Sequence, residues 1–246
     1  MKYIPFISVF LLNFMSAQNL KVEYDAIIKL RTLDVNTSQA FKNKVDEELK
    51  KPQKEILYFF DGDTFFKNIL KEDITIDGDK KKVDEYTTMR KKESFSFPKI
   101  KIYHKRGDKG FYQYQKMGDE EFYHYSIPKF EKIDYKDEVE YIEKYKCKLA
   151  ELLTDKGQII KVWYTEDIPT SAGPFVYNNL PGLVLKVETA TQLVYATKIS
   201  NNATKEDFES INPKLKVLND DEFFKKKEEY IEESKKVKKT EKDVHL

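Results

Sequence analysis

The chain has a single cysteine, Cys147, among its 246 residues. One cysteine cannot form an internal disulfide, so the fold must be stabilised by packing. No histidine lies near Cys147 in the sequence to act as its base, and Tyr145 and Leu149 flank it in a strand-like pattern. We therefore interpret Cys147 as a small buried hydrophobic residue rather than as a reactive thiol.

Histidine is also scarce, because the chain has only three, His104, His124 and His245. His104 and His124 fall in neighbouring predicted strands and could face each other across a sheet. Two imidazoles are too few for a typical zinc site, which uses a third or fourth ligand. We therefore predict ordinary sheet-surface histidines, no metal site and no other cofactor.

The sequence contains no nucleophile-elbow, zinc-protease, dinucleotide-binding or phosphate-loop motif. Residues 61–63 and 77–79 both read Asp-Gly-Asp, as parts of calcium loops do, but neither has the full spacing or the final glutamate of such a loop. Both segments are predicted to be turns. We assign no catalytic residue, and the poor inventory of reactive groups favours a protein that is not an enzyme.

The charges of the chain nearly cancel, with 44 Lys and Arg residues against 43 Asp and Glu residues. A chain without a net positive field is not expected to bind nucleic acid in general. Residues 111–116 interleave aromatic and polar side chains, which could stack on bases or sugars. One face of an antiparallel strand gives the same pattern, and we predict no nucleic-acid partner.

The N-terminus has the order of features that is typical of a secretory signal peptide. Lys2 gives a positive start, the apolar run from Ile4 to Met15 is too short to span a membrane, and Ser16 and Ala17 are small. An apolar N-terminal strand is the alternative interpretation. We predict cleavage near Ala17, export to the periplasm or the medium, and no transmembrane span in the mature chain.

Residues 20–30 alternate apolar and polar side chains, with only Ile27 out of step. A period of two indicates a strand with one dry face. Similar segments recur up to residue 199 and give eight to ten predicted strands, whereas residues 34–54 are polar and are predicted to be a loop or a frayed helix. The predicted fold class is therefore mainly β, a curved antiparallel meander sheet or a partly open barrel, with a charged C-terminal helix or tail.

Residues 163–187 contain three X-Pro steps, at Pro169, Pro174 and Pro181, between two apolar strand-like segments. Proline fixes its own φ and pushes the preceding residue toward extended geometry. We therefore expect this loop to hold one shape with little help from hydrogen bonds, as a binding site or as a structural clasp. The candidate binding residues are the aromatic and turn residues Trp163, Tyr164, Phe175, Tyr177, Leu180, Pro181 and Gly182.

The same stretch carries a resemblance to a known family. The segment Leu180-Pro181-Gly182-Leu183-Val184, preceded by Trp-Tyr-Thr, Asp-Ile-Pro and Gly-Pro, resembles the signature of the GLPGLI family of secreted bacterial proteins. Asn179 stands where the family has its first glycine, and asparagine is the other residue that best tolerates positive φ. The resemblance implies an exported β-protein without an established activity. We refer to residues 163–187 as the signature loop.

These observations divide the chain into three parts. We predict a signal peptide (residues 1–17), one β-rich domain that carries the signature loop (residues 18–218) and a charged helical or disordered tail (residues 219–246). In the tail, Asp220 or Asp221 could cap a helix. A weak apolar stripe would run along that helix through Phe223, Phe224, Tyr230 and Ile231.

Three functional hypotheses remain open. The leading one is an exported, non-enzymatic β-protein that binds an apolar or extended ligand, or an envelope protein, on a concave sheet face. A hydrolase or accessory domain acting on envelope peptide or glycan would instead use Trp163, Tyr164, Phe175 and Tyr177 as a substrate platform. A purely structural envelope protein would use the loop only to close the sheet. An open concave face would favour ligand binding, and a filled one would favour the structural role.

Overall fold

The computed structural model describes residues 19–29, 37–82 and 88–243. Strands dominate these ranges, together with two α-helices and a short 3₁₀ turn at Lys205–Asp207. In chain order the elements are β1 (Leu20–Ile28), α1 (Gln39–Lys50), β2 (Gln53–Phe60), β3 (Asp63–Asn68), β4 (Ile74–Lys82), β5 (Thr88–Phe95), β6 (Lys101–His104), β7 (Phe111–Met117), β8 (Glu120–Ser126), β9 (Phe130–Ile142), β10 (Tyr145–Thr154), β11 (Ile159–Thr165), β12 (Leu183–Glu188), β13 (Gln192–Ser200), β14 (Lys216–Leu218) and α2 (Asp220–Asp243).

Twelve of the strands form one sheet, in the order β14-β8-β7-β6-β3-β2-β1-β13-β12-β11-β10-β9. Neighbouring strands are antiparallel except for β14 and β8, which are parallel. The sheet is not closed, because β14 and β9 lie at opposite edges within the described residues. The predicted fold class, a mainly β protein with an antiparallel sheet and a C-terminal helix, is confirmed.

The predicted number of strands is too low, because the described residues contain fourteen. The strands that the sequence did not reveal are β4, β5, β9 and β14. Among the described residues, β4 and β5 pair with each other, and β9 and β14 lie at the edges of the large sheet. Strands in such positions can carry charged side chains, so their sequences need not alternate apolar and polar residues. β9 also shifts register twice against β10, which removes a regular period of two from its sequence.

The segment predicted as a loop or frayed helix contains a regular helix, α1. Ser38 caps it, since the Phe41 backbone N donates to Ser38 Oγ at 3.3 Å. Phe41, Val45 and Leu49 recur every four residues and are buried against the β4–β5 hairpin. The stripe is only one residue wide, which explains why the mostly polar sequence gave a weak helical signal.

The two Asp-Gly-Asp segments have different structures. Asp61 and Gly62, with φ of 48° and 89°, form the predicted turn between β2 and β3. Residues 77–79 instead lie inside β4, so the predicted turn there is wrong. The register of β4 against β5 shifts between Asp77 and Lys80, and a glycine inside a strand is typical of such a bulge.

The largest buried cluster, which we call the main core, lies on one face of the sheet. It takes residues from distant strands, such as Val22 of β1, Phe66 of β3 and Leu149 of β10. Alternate residues on the same strands contribute to clusters on the opposite face. That face has one cluster near β2, β3, β6 and β8, covered by residues 203–215, and a second near β10, β11 and β12.

The C-terminal helix α2 is anchored at its start. The Glu222 backbone N donates to Asn219 Oδ1 at 3.0 Å and the Asn219 N donates to a Glu222 carboxylate oxygen at 2.9 Å, so Asn219 is the cap rather than Asp220 or Asp221. Phe223 is buried, whereas Phe224 is half exposed. Neither described helix has a stretch apolar and long enough to cross a membrane.

Candidate functional site

Backbone hydrogen bonds hold the signature loop in place. Leu183 N donates to Ile168 O at 3.1 Å and Val184 N donates to Ala172 O at 2.8 Å, so the incoming segment pairs with the start of β12. Ser171 Oγ donates to Leu180 O at 2.8 Å. The expectation that the prolines would fix the loop with little help from hydrogen bonds is therefore wrong. Much of the loop is buried, and its backbone groups need partners.

Two glycines of the loop permit close approach of the backbone. A Cβ on Gly182 would lie 2.0 Å from Thr165 O, and one on Gly173 would lie 2.2 Å from Tyr177 O. Neither glycine has a positive φ, so lack of space is what excludes a larger residue at these two positions. Asn179 does not have a positive φ either; the left-handed residue of the loop is Phe175, with φ of 54°.

The signature loop fills one face of the sheet. The ring of Phe175 packs against Phe66 of β3, with ring centroids 4.8 Å apart. β3 lies five positions from β11 in the order of the sheet, so this contact joins strands that are not neighbours. Ile168 and Ala172 are buried in the same cluster, with Val176 packed against it. The loop therefore packs into the core on this face and bridges strands that are far apart in the sheet order, which is the arrangement that favours a clasp.

The seven predicted binding residues do not form one surface. Trp163 is buried in the main core, whereas Tyr164 and Leu180 are buried in the cluster on the opposite face. Tyr177 packs against that second cluster, and its burial raises the pKa of the phenol to about 12. Pro181 is exposed. The loop thus joins two cores, and the buried residues leave little of it accessible to a ligand.

Trp163 has a specific partner that also ties the loop to the sheet. Lys186 Nζ lies 4.1 Å from the centroid of the Trp163 ring, within the distance for a cation–π interaction. The same ammonium group donates to both carboxylate oxygens of Glu140, at 2.9 and 2.6 Å. These three side chains connect β9, β11 and β12 next to the loop.

The two central histidines are not paired with each other, since β7 separates their strands. His104 Nε2 is 2.9 Å from Asp108 O, and its ring packs on Phe111. The ring of His124 is stacked on Phe223 of α2 at 4.0 Å, and its Nε2 is 2.7 Å from Asp220 Oδ1. Each imidazole therefore has a local structural role. The described residues contain no group of three or more side chains that could hold a metal ion.

Two buried ionisable groups have perturbed pKa values for the same reason. Burial raises the pKa of the Cys147 thiol to about 11, which keeps it protonated and agrees with its interpretation as a buried hydrophobic residue. Burial raises the pKa of Glu55 to about 8. Glu55 is only 2% exposed, and its Oε2 has no hydrogen-bond partner among the described residues. A carboxyl that is closed off from solvent cannot meet a substrate directly.

An open pocket among the described residues lies away from the signature loop. A pocket of about 510 Å³ opens where β2 and β6 end and β3 begins, and we call it the strand-end pocket. Residues 205–211 form its far wall. Its lining residues are Phe60, Asp61, Asp63, Thr64, Tyr103, His104, Lys105, Lys205, Phe208, Glu209, Ser210 and Ile211.

Aromatic rings form the apolar part of the strand-end pocket. Phe208 packs edge-on against Phe60 at 6.0 Å and lies 6.3 Å from Phe65. Phe65 in turn stacks on Tyr103 at 4.6 Å. Phe60, Phe65 and Tyr103 lie on strands of the main sheet, and Phe208 packs against Phe60 and Phe65 from residues 205–211, so contacts within the protein hold this wall in place.

The carboxylates of the strand-end pocket already have partners. Asp63 Oδ1 accepts from the Arg106 backbone N at 2.7 Å, and Asp61 Oδ1 accepts from Arg106 Nη1 at 3.2 Å. Glu209 accepts from Lys67 at 3.3 Å and also from Lys101. Burial alone would raise the pKa of Glu209, but the hydrogen bonds and charges of these two lysines outweigh it and hold the pKa below its usual value.

Sequence reasoning did not find the strand-end pocket. One part of the lining comes from residues 60–105 and the other from residues 205–211, so at least about 100 residues of chain separate the two parts. No sequence motif marks either part. The one available signal was the Asp-Gly-Asp turn at residues 61–63, which predicts a hairpin but not what lies beside it. Residues 203–215 contain little regular structure, so their packing over the sheet was not predictable from periodicity.

Part of the chain matches a protein family of unknown function. Residues 74–186, from β4 into β12, match the family model described as "Protein of unknown function (Porph_ging)". The match includes the signature loop up to Lys186 but only Tyr103, His104 and Lys105 of the strand-end pocket. No curated protein matches the chain.

Among solved structures, the chain is similar to PNGF-II. The structure in the C2 space group has 16% sequence identity and a TM-score of 0.48, and the structure in the P21 space group has 18% identity and a TM-score of 0.50. The likeness covers 82% of this chain but only 31% and 32% of those chains, respectively. At this identity it concerns the fold alone. Residues 74–186 thus match a family without a known role, on a mainly β fold.

Proposed function

We propose that this chain is an exported, non-enzymatic β-protein that binds a small extended ligand in the strand-end pocket. The single observation that carries the proposal is the pocket of about 510 Å³ with walls of packed aromatic rings. Small-molecule sites are concave, mostly preformed and of this size. The signature loop serves as a clasp in this proposal, because it fills the sheet face that would otherwise be open.

The state of the pocket carboxylates supports binding rather than hydrolysis. A general acid needs a raised pKa, whereas Glu209 is held ionised by Lys67 and Lys101. Asp61 and Asp63 are both engaged by Arg106. The aromatic residues proposed as a substrate platform for a hydrolase, such as Trp163 and Tyr164, are buried in different clusters.

Export is the part of the proposal that rests on sequence. Residues 1–17 lie outside the described residues, and the charge and apolar pattern of that segment supports cleavage near Ala17. The GLPGLI resemblance, whose residues 180–184 fall inside the matched range, supports the same location in the periplasm or the medium. Mass measurement of the protein secreted from its host would show the processed N-terminus; a full-length product inside the cell would contradict export.

Ligand binding is tested by blocking the strand-end pocket. Ser210 lines the pocket and is exposed, so Ser210→Trp should fill it without disturbing buried packing. Thermal-shift and native mass-spectrometry screens with lipids, peptides and glycans should give at least one ligand that binds the wild type and not this variant. Lys156→Trp, in the exposed turn between β10 and β11, is the matched control and should bind normally.

Two results would overturn the binding proposal. One is a screen in which no ligand binds the wild type, and the other is a ligand whose affinity is unchanged in Ser210→Trp. The structural role would then be the better conclusion, since the filled sheet face already favours it.

A further inference from the structure

The charged groups of the strand-end pocket differ in whether they have ion-pair partners. Asp61 pairs with the Arg106 guanidinium and Glu209 pairs with Lys67 and Lys101, whereas Asp63 accepts from the Arg106 backbone N. Two further lysines, Lys105 and Lys205, also line the pocket. Neither of them has a carboxylate oxygen of the described residues within ion-pair distance, and hydrogen bonding to the backbone, with a smaller contribution from the charge of Lys205, lowers the pKa of the adjacent Glu206.

The unpaired lysines are placed beside the aromatic wall. Lys105 Nζ lies 5.5 Å from the centroid of Tyr112, a ring outside the pocket lining, and this cation–π contact does not neutralise the ammonium charge. Lys205 begins the 3₁₀ turn that leads into Phe208. The two lysines come from opposite walls, one from the end of β6 and one from residues 205–211.

The geometry points to an organic anion as the ligand of the strand-end pocket: a molecule with a ring or other flat apolar body that carries a carboxylate or a phosphate. This inference rests on the proposed function, since it names the ligand class of the same site. The body packs on Phe60 and Phe208, and the anionic group lies between Lys105 and Lys205. A neutral molecule of the same shape uses the aromatic wall but offers no negative charge to either ammonium group.

Phenylacetate and phenylacetamide test this inference, because they share a ring and differ in one negative charge. Titration calorimetry of the full chain at low ionic strength should show tighter binding of phenylacetate, by about fivefold, which corresponds to the modest strength of exposed charge pairs. Acetate alone, which has the charge but no ring, should bind more weakly than phenylacetate.

The double variant Lys105→Gln, Lys205→Gln should remove the preference for the anion and leave phenylacetamide binding unchanged. Both lysines are exposed, so the fold should not be affected. The control is Lys116→Gln with Lys129→Gln, which changes the net charge equally at exposed positions that do not line the pocket. It should keep the preference.

The possible outcomes separate this inference from the proposed function. Equal affinity for the two probes, or a preference that survives in the Lys105→Gln, Lys205→Gln variant, overturns the anion inference and leaves the pocket as a binding site. Binding of neither probe also overturns the anion inference. The proposed function is overturned by an empty result in the wider ligand screen or by a ligand whose affinity is unchanged in Ser210→Trp.

Discussion

The signature loop and the strand-end pocket are built from similar residues but differ in what their aromatic side chains contact. In the loop, Trp163, Tyr164 and Phe175 face other parts of the protein and are surrounded by them. In the pocket, Phe60 and Phe208 pack against the sheet on one side and leave a cavity on the other. A conspicuous sequence motif therefore marks the place where the fold is closed, whereas no motif marks the place where it is open.

The largest effect is expected from a single methyl group in the signature loop. Gly182→Ala would put a Cβ 2.0 Å from Thr165 O, and the backbone of β11 must move to accommodate it. We expect a loss of about 3 kcal/mol in the free energy of unfolding, measured by denaturant titration. Pro181→Ala, at the exposed neighbouring position, should cost only about 0.5–1 kcal/mol. Equal effects of the two changes would argue against the clasp.

A second prediction concerns Glu55 on β2, the strand that contributes to the main core and also ends at the pocket. Burial raises the pKa of Glu55 in the folded protein from 4.5 to about 8. Its contribution to stability is therefore complete below pH 4.5 and is lost as the pH rises through about 8. Stability should fall by about 1 kcal/mol per pH unit between about pH 5 and pH 8.

The variant Glu55→Gln should remove this pH dependence, because the amide does not ionise. Denaturant titrations at several pH values would measure it for both proteins. A wild-type slope that persists in Glu55→Gln would show that another group is responsible. Ligand binding at constant pH should be unchanged, since Glu55 does not line the strand-end pocket.

A smaller effect is expected from the cation that joins Trp163 to Glu140. Lys186→Met keeps the aliphatic stem but removes the cation–π interaction at 4.1 Å and the ion pair. We expect a loss of about 1 kcal/mol. Lys146→Met, at an exposed position of β10, is the control and should have no measurable effect. If both variants unfold at the same denaturant concentration as the wild type, the Lys186 contact does not stabilise the loop.

The smallest effect on stability should come from the pocket. Ser210→Trp adds a large side chain at an exposed position, so the free energy of unfolding should change by less than about 0.5 kcal/mol. A large loss of stability would mean that the pocket is part of the packed structure, and the contrast between the two regions would disappear.

The strands were predictable from the sequence where one face of the sheet is buried and the other is exposed to solvent. Residues 20–28 alternate because one face of β1 is buried in the main core and the other is less buried, and the turns at Asp61–Gly62 and residues 155–157 have the local sequence of hairpins. The helix α1 was missed because only one narrow stripe of it is buried, and β4 was missed because a bulge replaces the turn expected at Gly78.

The candidate site was less predictable than the fold. The proline pattern located the signature loop correctly, but burial of Tyr164 or Leu180 depends on which distant strands pack against them. The strand-end pocket depends on residues 203–215 folding back onto β2, β3 and β6, and the sequence has no local signal for that contact. Contacts between residues that are far apart in the chain leave no periodic pattern in the sequence, so such contacts could not be predicted from it.

The edge strand β9 has a consequence for how the molecule behaves in a crowded compartment. It is 13 residues long, and an exposed edge of that length would ordinarily invite a second chain to add itself to the sheet. Its two breaks in register and its dense mixture of lysines with acidic residues disfavour regular pairing from outside. The protein can thus keep a very wide open sheet and still resist growth into fibrous assemblies.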